Sequence, residues 1–269
     1  MFLKNLMENK PKKSLGQNFL IDENIINLIV DTGKIDQNDT VLEVGPGTGN
    51  LTKAILLKKP KKLIVIEKDK NLASKLEKKF KNKITIINDD ILNVNDNNLA
   101  KEPITIYGNL PYNIASQILA KWIKNNNFNN IAKKLILMFQ KEVADRIISE
   151  TNEKTYGRLS ILSRWKMKIK KIAEINPKSF YPSPKVKSTI LYFEPKKNYF
   201  RIKNPKNLEH ITRVFFNQKR KMVKKPLKIL FKNNTEISKK LGINLNLRPQ
   251  NLPPITYFKL CEEYENLSK

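Results

Sequence analysis

The sequence predicts an α/β protein: an open, mostly parallel sheet of seven strands covered by helices, followed by a small all-helical region. Three observations carry this. Short runs of apolar residues, continuous rather than alternating, take turns with helical spacing from residue 40 to residue 148, as in strands buried on both faces. The first run stops at a cluster of glycines, the form of a turn that lets the backbone pass close to a ligand at the carboxyl end of a sheet. After Gly157 the alternation stops, and beyond residue 207 the spacing is helical.

The elements follow in order. The opening is basic and polar, with an apolar hook at Phe19-Leu20. Asp22 is placed to cap a helix carrying Ile25, Ile26, Leu28, Ile29 and Val30, which ends at Gly33. Residues 40–44 form the first strand and 51–59 its helix, stopped by Pro60. Residues 63–66 and 71–80 repeat the unit, and 84–87 give a third strand. Residues 104–107 are a fourth strand with helix 114–124, and 135–139 a fifth with helix 142–148. Residues 159–165 read as a helix. The runs 167–175 and 185–194, the second alternating through Val186, Ser188, Ile190 and Tyr192, flank a Pro-rich stretch and predict a hairpin on the sheet edge. The polar stretch 198–207 sets the expected boundary between a domain over residues 1–200 and a helical one over 201–269. In the latter, Leu208, Ile211, Val214 and Phe215 have helical spacing, and 229–231, 237–241 and 255–260 add further pieces.

Composition narrows the function. The 269 residues, 40% of them hydrophobic, can bury a sizeable core. A net charge of +27 points to a polyanion, nucleic acid before an acidic membrane surface. Part of that charge is compositional, since Lys far outnumbers Arg. Its distribution is uneven, however: residues 201–269 carry 16 Lys+Arg against 5 Asp+Glu, and the first 200 residues 36 against 20. Cys261 is alone, so neither an internal disulfide nor a Cys-based metal site is expected. His210, also alone, reads as a packing residue, and no metal is predicted. No apolar run approaches the roughly 20 residues of a membrane span. Residues 1–13 lack the apolar stretch and cleavage site of a secretory signal. The chain reads as cytoplasmic, with a monomer as the default.

The first strand and its turn read Glu43-Val44-Gly45-Pro46-Gly47-Thr48-Gly49. Such a turn binds NAD, FAD or S-adenosylmethionine, or is merely tight. The third glycine comes one place early for a dinucleotide fingerprint. Glu43 suits an amino-acid ammonium better than a pyrophosphate, which favours S-adenosylmethionine. Glu67, closing the second strand, can accept both ribose hydroxyls. Asp89-Asp90 closes the third; one of these acids can accept from an adenine amine, with the Ile91 N–H nearby. Each acid alone also fits a helix cap. The fourth strand runs into Gly108-Asn109-Leu110-Pro111-Tyr112. There the Asn109 oxygen can accept one hydrogen of an exocyclic amine. Pro111 biases Leu110 toward extended geometry, so that a main-chain carbonyl of Leu110 or Pro111 can accept the other. Tyr112 offers a ring for stacking. Four successive strand ends thus converge on one crevice.

Lys13-Ser-Leu-Gly-Gln-Asn-Phe-Leu20, the Glu43–Gly49 turn, Asn109-Leu-Pro-Tyr112, Gln140-Lys-Glu-Val143, Tyr156-Gly-Arg-Leu-Ser160 and Phe180-Tyr-Pro-Ser-Pro-Lys-Val186 stand in this order. Together they make the chain resemble, over essentially its whole length, the small-subunit rRNA adenine N6-dimethyltransferases of the KsgA/RsmA family. The resemblance implies a class I Rossmann-like methyltransferase domain with a helical C-terminal domain. It implies S-adenosylmethionine-dependent dimethylation of two adjacent adenosines in the 3′-terminal hairpin loop of 16S rRNA during small-subunit biogenesis. Asn18 and the Leu20 backbone would lie over the cofactor, Gly45 and Gly47 against it, and Asn109 between cofactor and substrate. Phe180 would face Tyr112 across a flipped adenine. Lys219, Arg220, Lys221, Lys224 and Lys225 are expected to hold phosphates. In the tail, Lys219-Arg-Lys-Met-Val223 replaces the common Arg-Arg-Lys-Thr-Leu, Lys225 stands at the place of an Asn, and Lys187 where Asp or Asn is common. The alternative is an Erm-type 23S rRNA adenine methyltransferase; Leu110 and the Tyr156–Ser160 run favour the small-subunit type. A further rival is a nucleic-acid-binding assembly factor that keeps the fold without catalysis.

Overall fold

The computed structural model describes residues 11–267; the expectations about residues 1–10, that of no secretory signal included, lie outside the described residues. The chain opens with β1 (Phe19–Leu20) and α1 (Glu23–Thr32), then β2 (Thr40–Val44), α2 (Asn50–Leu57), β3 (Lys62–Ile66), α3 (Lys70–Phe80) and β4 (Thr85–Ile87). There follow β5 (Ile104–Asn109), α4 (Ala115–Lys124), the short α5 (Phe128–Ile131), β6 (Ala132–Gln140), α6 (Lys141–Ile148) and α7 (Arg158–Lys166). Strands β7 (Met167–Ile175), β8 (Phe180–Tyr181) and β9 (Ser188–Pro195) precede the tail helices α8 (Pro205–Phe216), α9 (Lys224–Leu230), α10 (Asn234–Leu241) and α11 (Pro254–Leu267).

Seven strands form one sheet in the order β4-β3-β2-β5-β6-β9-β7. The first five are parallel, and the expected edge hairpin, β7 with β9, is antiparallel. The order reverses between β2 and β5, the position where open α/β sheets hold ligands. Strand period sorts the core into two faces. Leu42, Val44, Ile106, Leu135 and Leu137 pack on the side of Trp122. Val41, Leu63, Val65, Tyr107 and Ile136 pack on the side of Ile26, Ile29 and Ile55.

The caps are local. Asp22 accepts from the Asn24 and Ile25 N–H groups at the start of α1, and Asp69 from Asn71 at the start of α3. Strand β5 runs two residues past its apolar stretch. Gly108 pairs with Val44 and Asn109 with Met138, so the ladder itself fixes where Asn109 stands. Two elements differ from the pattern in residues 180–195. Strand β9 starts at Ser188, because Lys185 and Val186 lead into it exposed. Strand β8 pairs with β1 in a separate two-stranded ladder, Phe19 with Tyr181 and Leu20 with Phe180.

The core on the Trp122 face does not end near residue 200. It continues through Tyr156 and Trp165 into Leu208, Phe215, Tyr257 and Cys261. Trp165 also donates its Nε1–H to the Phe200 carbonyl at 2.7 Å. Among the described residues no helix is long and apolar enough to cross a membrane.

Candidate cofactor and base-binding cleft

A cleft opens at the carboxyl ends of β2, β3, β4 and β5. It is lined by the glycine turn, Glu67, residues 89–91 and residues 109–114, and a strap of residues 14–20 closes its remaining side.

Gly45, Gly47 and Gly49 have φ of 71°, 57° and 78°, the left-handed region in which side chains are strained. Two of them also leave room for neighbours. A Cβ on Gly47 would stand 2.8 Å from the Phe19 ring of the strap, and one on Gly49 2.7 Å from the Phe80 ring. A Cβ on Gly45 would lie 3.7 Å from the Asn109 carbonyl oxygen and 3.9 Å from Pro111 Cδ. The glycine turn and the Asn-Leu-Pro-Tyr segment therefore meet.

Glu43 is fully buried. Its Oε2 accepts from the Thr52 hydroxyl at 2.6 Å, while Oε1 has no partner. Burial pushes its pKa up to about 8; the Thr52 bond opposes this and the Glu67 charge adds to it. A buried carboxyl oxygen without a donor, at the edge of a cleft, fits a cationic amine. The Glu67 Oε2 accepts from Gly47 N–H at 3.1 Å and its Oε1 from Asp69 N–H at 2.9 Å. Burial raises its pKa against the pull of those two N–H groups. Asp90 shares Oδ2 with Lys68 Nζ at 2.8 Å and accepts the Leu92 N–H on Oδ1 at 2.9 Å. Burial works against its charge, but Lys68 and the Leu92 bond prevail and its pKa is lowered. The next residue, Ile91, is held from behind: Lys121 Nζ donates to its carbonyl at 2.7 Å, to the Val94 carbonyl at 2.6 Å and to Asp96 at 3.0 Å.

Asn109 donates Nδ2–H to the Asn18 carbonyl at 2.8 Å. Its acceptor Oδ1 has no partner among the described residues. Leu110 is buried, its side chain filling the space a Cβ on Gly108 would need. The Pro111 carbonyl accepts from Ile114 N–H at 3.1 Å, which leaves the Leu110 carbonyl as the open main-chain acceptor. Tyr112 is half-buried, and its hydroxyl meets Ser188 Oγ at 2.5 Å.

Three groups depart from, or were absent from, the sequence reading. Phe180 is buried, packs with Leu20, Ile175 and Ile190, and does not line the cleft. It pairs with Leu20 and shares that residue's apolar cluster, so the ring is a core contact and not the exposed cleft wall the sequence led one to expect. The exposed ring beside it is Tyr181. Lys219 donates to the Lys154 and Tyr156 carbonyls, whereas Arg220, Lys221, Lys224 and Lys225 are exposed. The strap's anchors were not visible in sequence. Asp69 takes Lys12 Nζ at 2.9 Å and Gln17 Nε2 at 3.3 Å, and Asn50 donates to the Leu20 carbonyl at 2.9 Å. The position of Asp69 two residues after Glu67 marks it only as a helix cap.

Comparison with known proteins fits this geometry. The family model described as ribosomal RNA adenine dimethylase matches residues 8–266. The ribosomal RNA small subunit methyltransferase A of Pelagibacter ubique is 58% identical over 96% of this chain and 98% of that relative. The protein of the same name from Ehrlichia ruminantium is 42% identical over 90% and 92%. Among solved structures, a dimethyladenosine transferase from Plasmodium falciparum superposes with a TM-score of 0.80 at 28% identity, covering 93% of this chain and 98% of that one. The 23S rRNA methyltransferase ErmE reaches 0.67 at 21% identity over 94% and 100%, a likeness of fold. The methyl donor implied by this family and by the Glu43–Gly49 turn is S-adenosylmethionine. A parallel sheet with its switch-point cleft, an amide held with its acceptor open, and a match over nearly the full length lead to one conclusion: the chain belongs to the ribosomal RNA adenine dimethylase family.

Proposed function

We propose that this enzyme dimethylates, at N6, two adjacent adenosines in the 3′-terminal hairpin loop of 16S rRNA. It does so as a monomer in the cytoplasm, on the small ribosomal subunit or its precursor. The observation that carries the reading is the pair of open acceptors at the end of β5, Asn109 Oδ1 and the Leu110 carbonyl, beside the glycine turn. The small-subunit relatives, matched over nine-tenths or more of the chain, support the substrate. The likeness to ErmE supports only the architecture, and nothing in the cleft favours a 23S substrate over it.

Glu43 would take the cofactor's ammonium, Glu67 its ribose hydroxyls, and Asp90 with Ile91 its adenine. Gly45 and Gly47 give it room, and the main chain of Asn18 and Leu20 covers it. Bound there, S-adenosylmethionine supplies an electrophilic methyl group. The chain's own contribution is positioning. Asn109 and Leu110 accept the two amine hydrogens of an extruded adenine, which frees the N6 lone pair from the ring. Pro111 shapes that turn, and Tyr112 provides the stacking face. No strong base is needed, because an alkylated amine is acidic enough to release its proton to water. Arg220, Lys221, Lys224 and Lys225 hold phosphates of the RNA, and Lys219 braces the loop behind them. The parts 1–200 and 201–269 divide by task, catalysis and RNA grip, rather than by separate cores. The test supplies labelled S-adenosylmethionine with undermethylated small subunits or with large subunits and maps the labelled adenosines; label confined to large subunits overturns the assignment.

A further inference from the structure

The Tyr112 ring, the proposed stacking face, stands on an irregular turn between Pro111 and α4, where the backbone alone leaves its side-chain torsions free. Its hydroxyl is held by Ser188 Oγ at 2.5 Å, 76 positions away. Ser188 is rigid in a way Tyr112 is not. It is fully buried, it opens β9, and it is paired with Gln140 on one side and Ile175 on the other. Gln140 ends β6, the strand that also pairs with Asn109 through Met138. Asn109 and the Tyr112 hydroxyl are therefore referred to the same end of the sheet, one through the β5–β6 ladder and the other through Ser188. Burial raises the Tyr112 pKa, so the group is a neutral phenol that needs a partner for its polar end. Among the described residues, Ser188 is that partner.

We propose that Ser188 is a positioning residue for methyl transfer: it fixes the orientation of the Tyr112 ring relative to Asn109 Oδ1, and so sets how the target base lies when its amine is attacked. The proposal rests on the reading of Tyr112 as the stacking face. It concerns the transfer step and leaves cofactor binding alone, because Ser188 lies outside the cleft lining. Misplacing a reacting group by about 1 Å is enough to slow a step that depends on alignment.

The test measures kcat and the KM for S-adenosylmethionine on undermethylated small subunits for Tyr112→Ala, Tyr112→Phe, Ser188→Ala and the double variant Tyr112→Phe/Ser188→Ala. Ser188→Ala and Tyr112→Phe are each expected to lower kcat about tenfold with KM unchanged within about twofold. The double variant should be no slower than either single, since one bond is lost in all three. Losses that multiply in the double variant, or a wild-type kcat in either single, overturn the proposal. Should Ser188→Ala fail to fold, Tyr112→Phe decides by itself, because it deletes the same bond from the half-exposed side. Tyr112→Ala separates the two layers. Wild-type turnover there sinks the stacking reading itself, while loss there with unchanged Tyr112→Phe and Ser188→Ala sinks only the role of Ser188.

Discussion

The side-chain amide of Asn109 hangs from the main-chain carbonyl of Asn18, Nδ2 to O at 2.8 Å across 91 positions of sequence. That one bond decides which end of the amide faces the cleft, and it ties the strap to the end of β5. Asn109→Ala removes the acceptor and the tie together. Methyl transfer is expected to fall by about two to three orders of magnitude, the usual cost of losing one preorganised group at a reacting centre. RNA affinity should stay within about twofold. Single-turnover rates and filter binding at the same salt check both, and transfer at the wild-type rate refutes the role.

Glu43 gives a pH signature. Its ordinary value is 4.5 and its folded value about 8. Across that window the folded protein holds a proton that the unfolded chain has released, so the stability due to Glu43 falls as pH rises and levels off above about 8. Thermal unfolding of the ligand-free protein from pH 5 to 9 should show wild type losing Tm relative to Glu43→Gln over this range. Parallel curves count against the buried, protonated carboxyl.

Asp69 predicts how the strap is held. Burial opposes its charge, but Lys12, Gln17 and the Asn71 N–H lower its pKa, so its contribution is present above the ordinary carboxylate range and lost on acidification through its folded value. Lys12 is half-exposed, and exposed pairs contribute about 0–1 kcal/mol. Lys12→Ala should therefore raise the KM for S-adenosylmethionine by no more than about fivefold. Asp69→Ala also removes a helix cap, at about 1 kcal/mol, and should raise it further. Isothermal titration with the cofactor product distinguishes the two.

The tail lysines separate by their partners. Arg220→Ala and Lys221→Ala should each weaken RNA binding and reduce the slope of log affinity against log salt by about one. Lys219→Ala, which cuts bonds to the Lys154 and Tyr156 carbonyls, should lower Tm and leave the slope nearly unchanged. Salt titrations with a 16S hairpin, set beside melting curves, decide this.

What could be read from the sequence follows the range of the forces involved. Strand β2 is a short, fully buried run, apolar except for Thr40 and Glu43 and closed by a glycine stop, and its bounds were legible to the residue. The acids at the ends of β3 and β4 were legible because the fold places strand ends together. Contacts between a side chain and a distant backbone leave no period in the sequence. Neither the Asp69–Lys12 latch nor the Tyr112–Ser188 bond has a local signal. Phe180 shows the same limit from the other direction: its motif marks it, but its partner Leu20 lies 160 positions earlier and draws the ring inward. Lys219 reads as one more charge in a basic run, and its carbonyl partners appear only once the chain is folded.

The apolar interior that passes from Trp165 into Leu208 and Phe215 without a break has a mechanical consequence. A tail that shares its core with the sheet in this way has no apolar seam of its own at which to hinge, so the span from Arg220 and Lys221 to the rim at Asn109 would act as a gauge. If Arg220 and Lys221 grip the RNA as proposed, a hairpin whose gripped backbone and target adenosine are spaced to that gauge would be in register the moment it docks, and one lengthened or shortened by a few base pairs would present the wrong nucleotide.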